Sequence, residues 1–267
     1  MKRIILGLLF DGVDFYLSRN FRLQRLGNVA WLQEHFRIFD LVSHVDEVAV
    51  FHVARKMGTK AFAMALKELA RNLFIPISVG GGVRSIEDAD ALFRSGADRI
   101  MFSDTLWNDP SLVRKVGIKY GKQSVVGVLN YSLTGAQHLE IRHRHREGFP
   151  PIAIKELPTK SLASLAGELV LQSIDRDGTG QGFPVDSLSH FEELRETPWI
   201  AAGGFGSTVQ VSHALGDSRI EAVLTSNLLA FVGTGLSLAR SNSRERGIKL
   251  AVWEEWAPDG DRITSYP

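Results

Sequence analysis

Arg3-Ile4-Ile5-Leu6-Gly7-Leu8-Leu9 is met again, about 121 residues further on, as Ser124-Val125-Val126-Gly127-Val128-Leu129-Asn130. Both are short apolar runs, the composition of strands buried on both faces. The offset persists along the chain. Glu47 matches Glu168, Lys56-Met57-Gly58-Thr59 matches Arg176-Asp177-Gly178-Thr179, and Gly81-Gly82 matches Gly203-Gly204. The chain therefore reads as two similar halves, about 1–120 and 121–240, followed by an extension over 241–267.

Working outward, runs of the same kind occur at Ile4–Leu9, Glu47–Val53, Ile75–Val79, Arg99–Phe102, Ser124–Leu129, Glu168–Ile174, Trp199–Ala202 and Ala222–Thr225. Between most of them lies helical periodicity. Phe62, Leu66, Leu69 and Leu73 share one face of a helix over Thr59–Leu73. A second helix opens at Ser85-Ile86-Glu87-Asp88, where Ser85 caps and two acids occupy the first turn, and ends at Gly96. Strands alternating with helices imply parallel pairing. Eight such units close into a (β/α)8 TIM barrel, and α/β barrels of this length are one domain, so residues 1–267 are expected to form a single α/β barrel with a two-fold half-barrel repeat.

Composition narrows the classes. The 267 residues are 44% apolar and 23% charged, and no apolar run is long enough to span a bilayer, so no membrane insertion is expected. The basic start Met1-Lys2-Arg3 with its apolar continuation resembles a leader, but Asp11 and Asp14 break it and no cleavage site follows; it reads as a first strand. Zero cysteines exclude disulfides and thiolate chemistry and fit a cytoplasmic protein. A net charge of +1 gives no reason to expect a nucleic-acid partner, and Arg142-His143-Arg144-His145-Arg146 reads as a solvated strand or loop. No metal and no cofactor are expected.

Gly80-Gly81-Gly82 and Ala202-Gly203-Gly204 each follow a strand and precede a helix. There glycine permits close backbone approach and free amide hydrogens can receive an anion. Gly81, Gly82, Gly203 and Gly204 are thus phosphate-site candidates, completed from the next loops by Ser103 in one half and by Ser226 and Asn227 in the other. Asp104 would repel an anion if turned inward, which favours the second site. Asp177, in Asp175-Arg176-Asp177-Gly178-Thr179 after the sixth strand, stands on the face where barrels place working groups; the alternative is an Asp-Gly turn bonded to nearby backbone. His52 ends strand two and is either an acid or base or a histidine merely accommodated there.

The runs Val79-Gly80-Gly81-Gly82-Val83-Arg84-Ser85, Ser173-Ile174-Asp175-Arg176-Asp177-Gly178-Thr179 and Ala202-Gly203-Gly204 closely resemble the cyclase subunit of imidazole glycerol phosphate synthase, and the likeness spans about residues 3 to 231. The resemblance implies a lyase of histidine biosynthesis that closes an imidazole ring on a bisphosphate, using ammonia delivered through the barrel from a glutaminase subunit. It also implies an acid and a base, two aspartates ending strands one and five. The matching residues are Leu9 and Asn130, neither of which transfers protons. The family's first-loop lysine is absent as well, since no Lys falls between Lys2 and Lys56. Asp11, two residues past Leu9, and Asp177 are the candidates for relocated catalytic groups.

At the opposite end, Arg3, Glu47, Arg99 and Glu168 match the family's ring of charges at the ammonia entrance, and Asp98 matches a residue facing the glutaminase. The bland alternative is a salt-bridged barrel base. Leucine at the strand-one position and the ending Arg262-Ile263-Thr264-Ser265-Tyr266-Pro267 resemble a branch of cyclase-like proteins in surface-polysaccharide systems, which partner a glutaminase and a sugar amidotransferase. Three functions stand open: an ammonia-conducting partner of such an amidotransferase, a true cyclase with relocated acid and base, and a non-catalytic protein binding a phosphorylated small molecule.

Overall fold

The structure, a computed structural model, describes residues 1–19, 22–36, 38, 44–54, 59–134, 138–142, 150–226, 235–251, 255–256 and 262–263. Its frame is a closed barrel of parallel strands: β1 (Arg3–Phe10), β4 (Glu47–His52), β5 (Ile77–Gly80), β6 (Arg99–Phe102), β7 (Val125–Thr134), β10 (Glu168–Ser173), β11 (Trp199–Ala202) and β12 (Ile220–Thr225). β12 pairs with β1 in register Arg3 to Ala222, and β7 with β10 in register Val126 to Glu168, so no edge is left open. Each of the eight strands expected from the sequence is present. The chain is an α/β (β/α)8 barrel.

Residues alternate across the barrel wall because successive side chains in a strand point to opposite faces. Ile5, Ala49, Met101, Val126, Val128, Val170, Ile200, Ala202, Ala222 and Leu224 form one buried cluster inside. Ile4, Leu6 and Leu8 of β1 belong to the larger cluster between the wall and the helices, with Phe62, Leu66 and Leu69 of α2 (Thr59–Ala70) and Leu92 of α3 (Ile86–Arg94). Ser85 caps α3 by accepting from the Asp88 amide, as expected.

The half-barrel repeat is written into the hydrogen bonding. Val48 N donates to Pro76 O at 3.0 Å, and Leu169 N donates to Pro198 O at 2.9 Å in the matching place. Ser207 caps α7 (Thr208–Gly216) as Ser85 caps α3, with a full capping box through Gln210.

Two hairpins above the barrel go beyond the sequence reading. β2 (Phe15–Arg19) and β3 (Arg22–Gly27) fold back on the end of β1, and β8 (His138–Ile141) with β9 (Ile152–Ala153) fold back on β7. These strands are short, and the alternation they carry, Phe15 with Leu17 in β2 and Leu139 with Ile141 in β8, spans too few residues to mark a strand. The last barrel helix, α8 (Gly235–Glu245), crosses Ser241, and Leu250 bridges to Lys2. Arg240 of α8 is buried and donates to both Asp46 oxygens at 2.9 and 2.8 Å, while Ile4 N donates to the same carboxylate at 2.8 Å. Among the described residues no helix is long and apolar enough to cross a membrane.

Candidate functional site

The strand ends converge on a cavity of about 510 Å³ at the C-terminal mouth of the barrel, where parallel barrels place working groups. Its floor is apolar, lined by Phe51, Met101, Val128 and Leu224 from four of the barrel strands. Leu9 and Asn130, the equivalent residues of β1 and β7, both line it. The Asn130 amide donates to Ser103 Oγ at 3.0 Å, so these two strand ends present neutral side chains.

Asp177 also lines the cavity. Its carboxylate accepts from Ser18 Oγ at 2.8 Å and from Gln172 Nε2 at 3.2 Å, both side chains rather than the nearby backbone of an Asp-Gly turn. Ser18 comes from β2, so this bond holds the first hairpin over the cavity. Asp175 instead accepts from Leu133 N at 2.7 Å and fixes the neighbouring loop to β7. Asp11 sits elsewhere, outside the cavity lining, and its carboxylate accepts from the amides of Val13 and Asp14 and from the Tyr16 hydroxyl at 2.9, 2.9 and 2.7 Å. Partial burial works to raise its pKa, but these bonds outweigh it and hold the carboxyl below the usual range. A carboxylate so engaged is a poor base.

The four candidate glycines stand in left-handed backbone, with φ of +93° at Gly81, +78° at Gly82, +96° at Gly203 and +97° at Gly204. A Cβ on Gly81 would meet His52 O at 2.3 Å, and one on Gly203 would meet Ser173 O at 2.4 Å, the same collision in each half. Ser226 lines the cavity and reaches across Gly7, whose Cβ would meet its Oγ at 2.7 Å. Asn227 lies outside the described residues, as do residues 143–146 of the basic run; Arg142 pairs with Glu140 at 2.9 Å.

At the N-terminal mouth, Arg3 meets Glu47 at 3.2 Å and Glu168 at 2.5 Å, while Arg99 meets Glu47 at 3.3 Å and Glu168 at 2.6 Å. The four side chains close a ring of alternating charge. Glu47 is 1% exposed; burial pushes its carboxyl up, against the pull of Arg99, the Ser78 hydroxyl and Arg3. Asp98 lies exposed beside the ring and accepts from Ile77 N at 2.8 Å.

Ser18, Gln172 and Ser78 were missed in the sequence. Gln172 and Ser78 carried a signal, a polar residue at an inward position of an otherwise apolar strand. Ser18 carried none, because its position depends on the hairpin.

Comparison with known proteins follows the same lines. The histidine biosynthesis protein family matches residues 41–233. A protein of Parasynechococcus marenigrum, provisionally named imidazole glycerol phosphate synthase subunit hisF2, is 36% identical over 256 residues, covering 94% of each chain. The imidazole glycerol phosphate synthase subunit HisF of Pyrobaculum aerophilum is 33% identical, over 78% of this chain and 81% of its own. The HisF subunit of Pelodictyon phaeoclathratiforme is 29% identical, over 94% of this chain and 99% of its own. The chain belongs to the histidine biosynthesis protein family and is a HisF-like member of its cyclases.

Proposed function

We propose that this barrel docks a glutaminase at its N-terminal mouth and passes ammonia along its axis to a separate amidotransferase acting on a surface-polysaccharide sugar, without closing an imidazole ring itself. The observation that carries this is the pair Leu9 and Asn130 in the cavity. Ring closure needs a proton donor and acceptor within hydrogen-bond reach of the substrate, and these two side chains supply neither. The opposite mouth keeps its ring of Arg3, Glu47, Arg99 and Glu168, with Asp98 beside it on the docking face. The relatives' names, as synthase subunits, support assembly with a second chain. The glycine turns at Gly81, Gly82, Gly203 and Gly204, with Ser103 and Ser226, would bind a phosphorylated small molecule at the upper mouth.

A second reading, a cyclase with relocated groups, rests on Asp177 lying in the cavity. The two separate in one assay. Purified chain is incubated with the cyclases' bisphosphate substrate and an ammonium salt. Ring closure at the rate of an authentic cyclase, lost in Asp177→Asn, would establish the second reading and end the first.

A further inference from the structure

The two halves present their glycine turns differently. A Cβ on Gly81, Gly203 or Gly204 would fall 2.3, 2.4 or 2.5 Å from a backbone carbonyl oxygen, so these three are packed against chain. Gly82 is open. At the place of its missing Cβ a single atom of the described residues lies within 4 Å, Nδ1 of His52 at 3.4 Å. Gly82 is exposed where its counterpart Gly204 is buried, and both Gly82 and His52 line the cavity.

His52 is 9% exposed. Its ring stacks on Phe62 at 5.1 Å and lies 6.2 Å from Phe10, and its Nε2 is buried with no hydrogen-bond partner among the described residues. A neutral imidazole carries one N–H and one lone pair. An unpaired buried N–H is rarer in proteins than an unpaired acceptor, so the lone pair belongs on Nε2 and the proton on Nδ1, which faces Gly82. Burial lowers the pKa of the ring and the Asp11 carboxylate pulls the other way, leaving a neutral donor. Among the described residues, Arg84, Asp104 and Asp177 are the other charged groups of the cavity lining.

We propose that His52 is a ligand-binding residue of the first-half site, whose Nδ1–H donates to an oxygen of a tetrahedral oxyanion seated over Gly82. The open space beside Gly82 admits the oxygen, and the tautomer is fixed before the ligand arrives. Resting on the glycine turns as anion sites and not on ammonia transfer, this role stands or falls independently of ring closure.

The test is a sulfate titration of the ¹⁵N-labelled full chain at about pH 7.5, where sulfate stays dianionic and imidazole is largely neutral, followed by long-range histidine ¹H–¹⁵N spectra. His52 is expected to show the Nδ1-protonated form in the free protein, with an Nδ1 signal that moves saturably. His52→Leu should weaken sulfate binding at this site at least about tenfold, the size of one hydrogen bond to a charged acceptor, while His52→Asn, which keeps a donor near that place, should stay within about twofold. The proposal is overturned by a proton on Nε2, by an Nδ1 signal that stays still whether or not the Gly203 and Gly204 amides respond, or by unchanged affinity in His52→Leu. The wild-type spectra carry the result even if a variant fails to fold.

Discussion

Alanine at Gly203 is expected to destabilise the barrel by about 3 kcal/mol. Two costs combine. The φ of +96° lies where an L-residue pays about 1–2 kcal/mol. The added Cβ would also stand 2.4 Å from Ser173 O, well inside the 3.4 Å at which ordinary contact begins, so the end of β10 must move at a cost of about 1–3 kcal/mol. For a domain of this size that lowers the melting temperature by roughly 6–12 °C. Gly81→Ala repeats the collision against His52 O at 2.3 Å and should behave alike. A Cβ on Gly216, the last residue of α7, would meet nothing within 4 Å among the described residues, so Gly216→Ala is the control and should gain a few tenths to about 1 kcal/mol. Thermal and urea unfolding read all three. If Gly203→Ala is as stable as Gly216→Ala, the matched close approach of the two turns is refuted.

Arg240→Ala should cost about 3–5 kcal/mol in urea unfolding, because it removes the guanidinium that pairs with both oxygens of the buried Asp46 carboxylate; a loss under about 1 kcal/mol would contradict this. The folded pKa of His52 is lowered, so the folded state binds fewer protons than the unfolded one and stability falls as pH drops below 6.5; that part of the pH dependence should vanish in His52→Leu, as unfolding at pH 5 to 7.5 would reveal. Leu9→Asp combined with Asn130→Asp should raise ring closure at least about 10²-fold over the wild type, with the carboxylate introduced on β7 accepting from the Ser103 hydroxyl in place of the present amide contact. No gain from the double variant would mean that other parts of the machinery are missing.

The barrel was legible because its strands are buried on both faces and read as continuous apolar runs, and because Glu47 and Glu168, the first and fifth strand runs and the glycine pairs recur at a nearly constant offset. What lies above the barrel was not. Ser18 reaches Asp177 only because the β2–β3 hairpin folds back on Leu9 and Phe10, a placement that such short strands do not announce. Asp11 was marked as a candidate for its nearness to Leu9 in sequence, yet the turn from Asp11 to Tyr16 consumes its carboxylate. The openness of Gly82 against the packing of Gly204 depends on what each loop lays over its turn, which two equal glycine pairs cannot express.

The direct measurement is ring closure itself: the purified chain, saturating bisphosphate substrate and an ammonium salt, with an authentic cyclase alongside. With Leu9 and Asn130 at the two strand ends, imidazole formation is expected to stay at the uncatalysed background. Turnover comparable to the authentic enzyme would contradict the account.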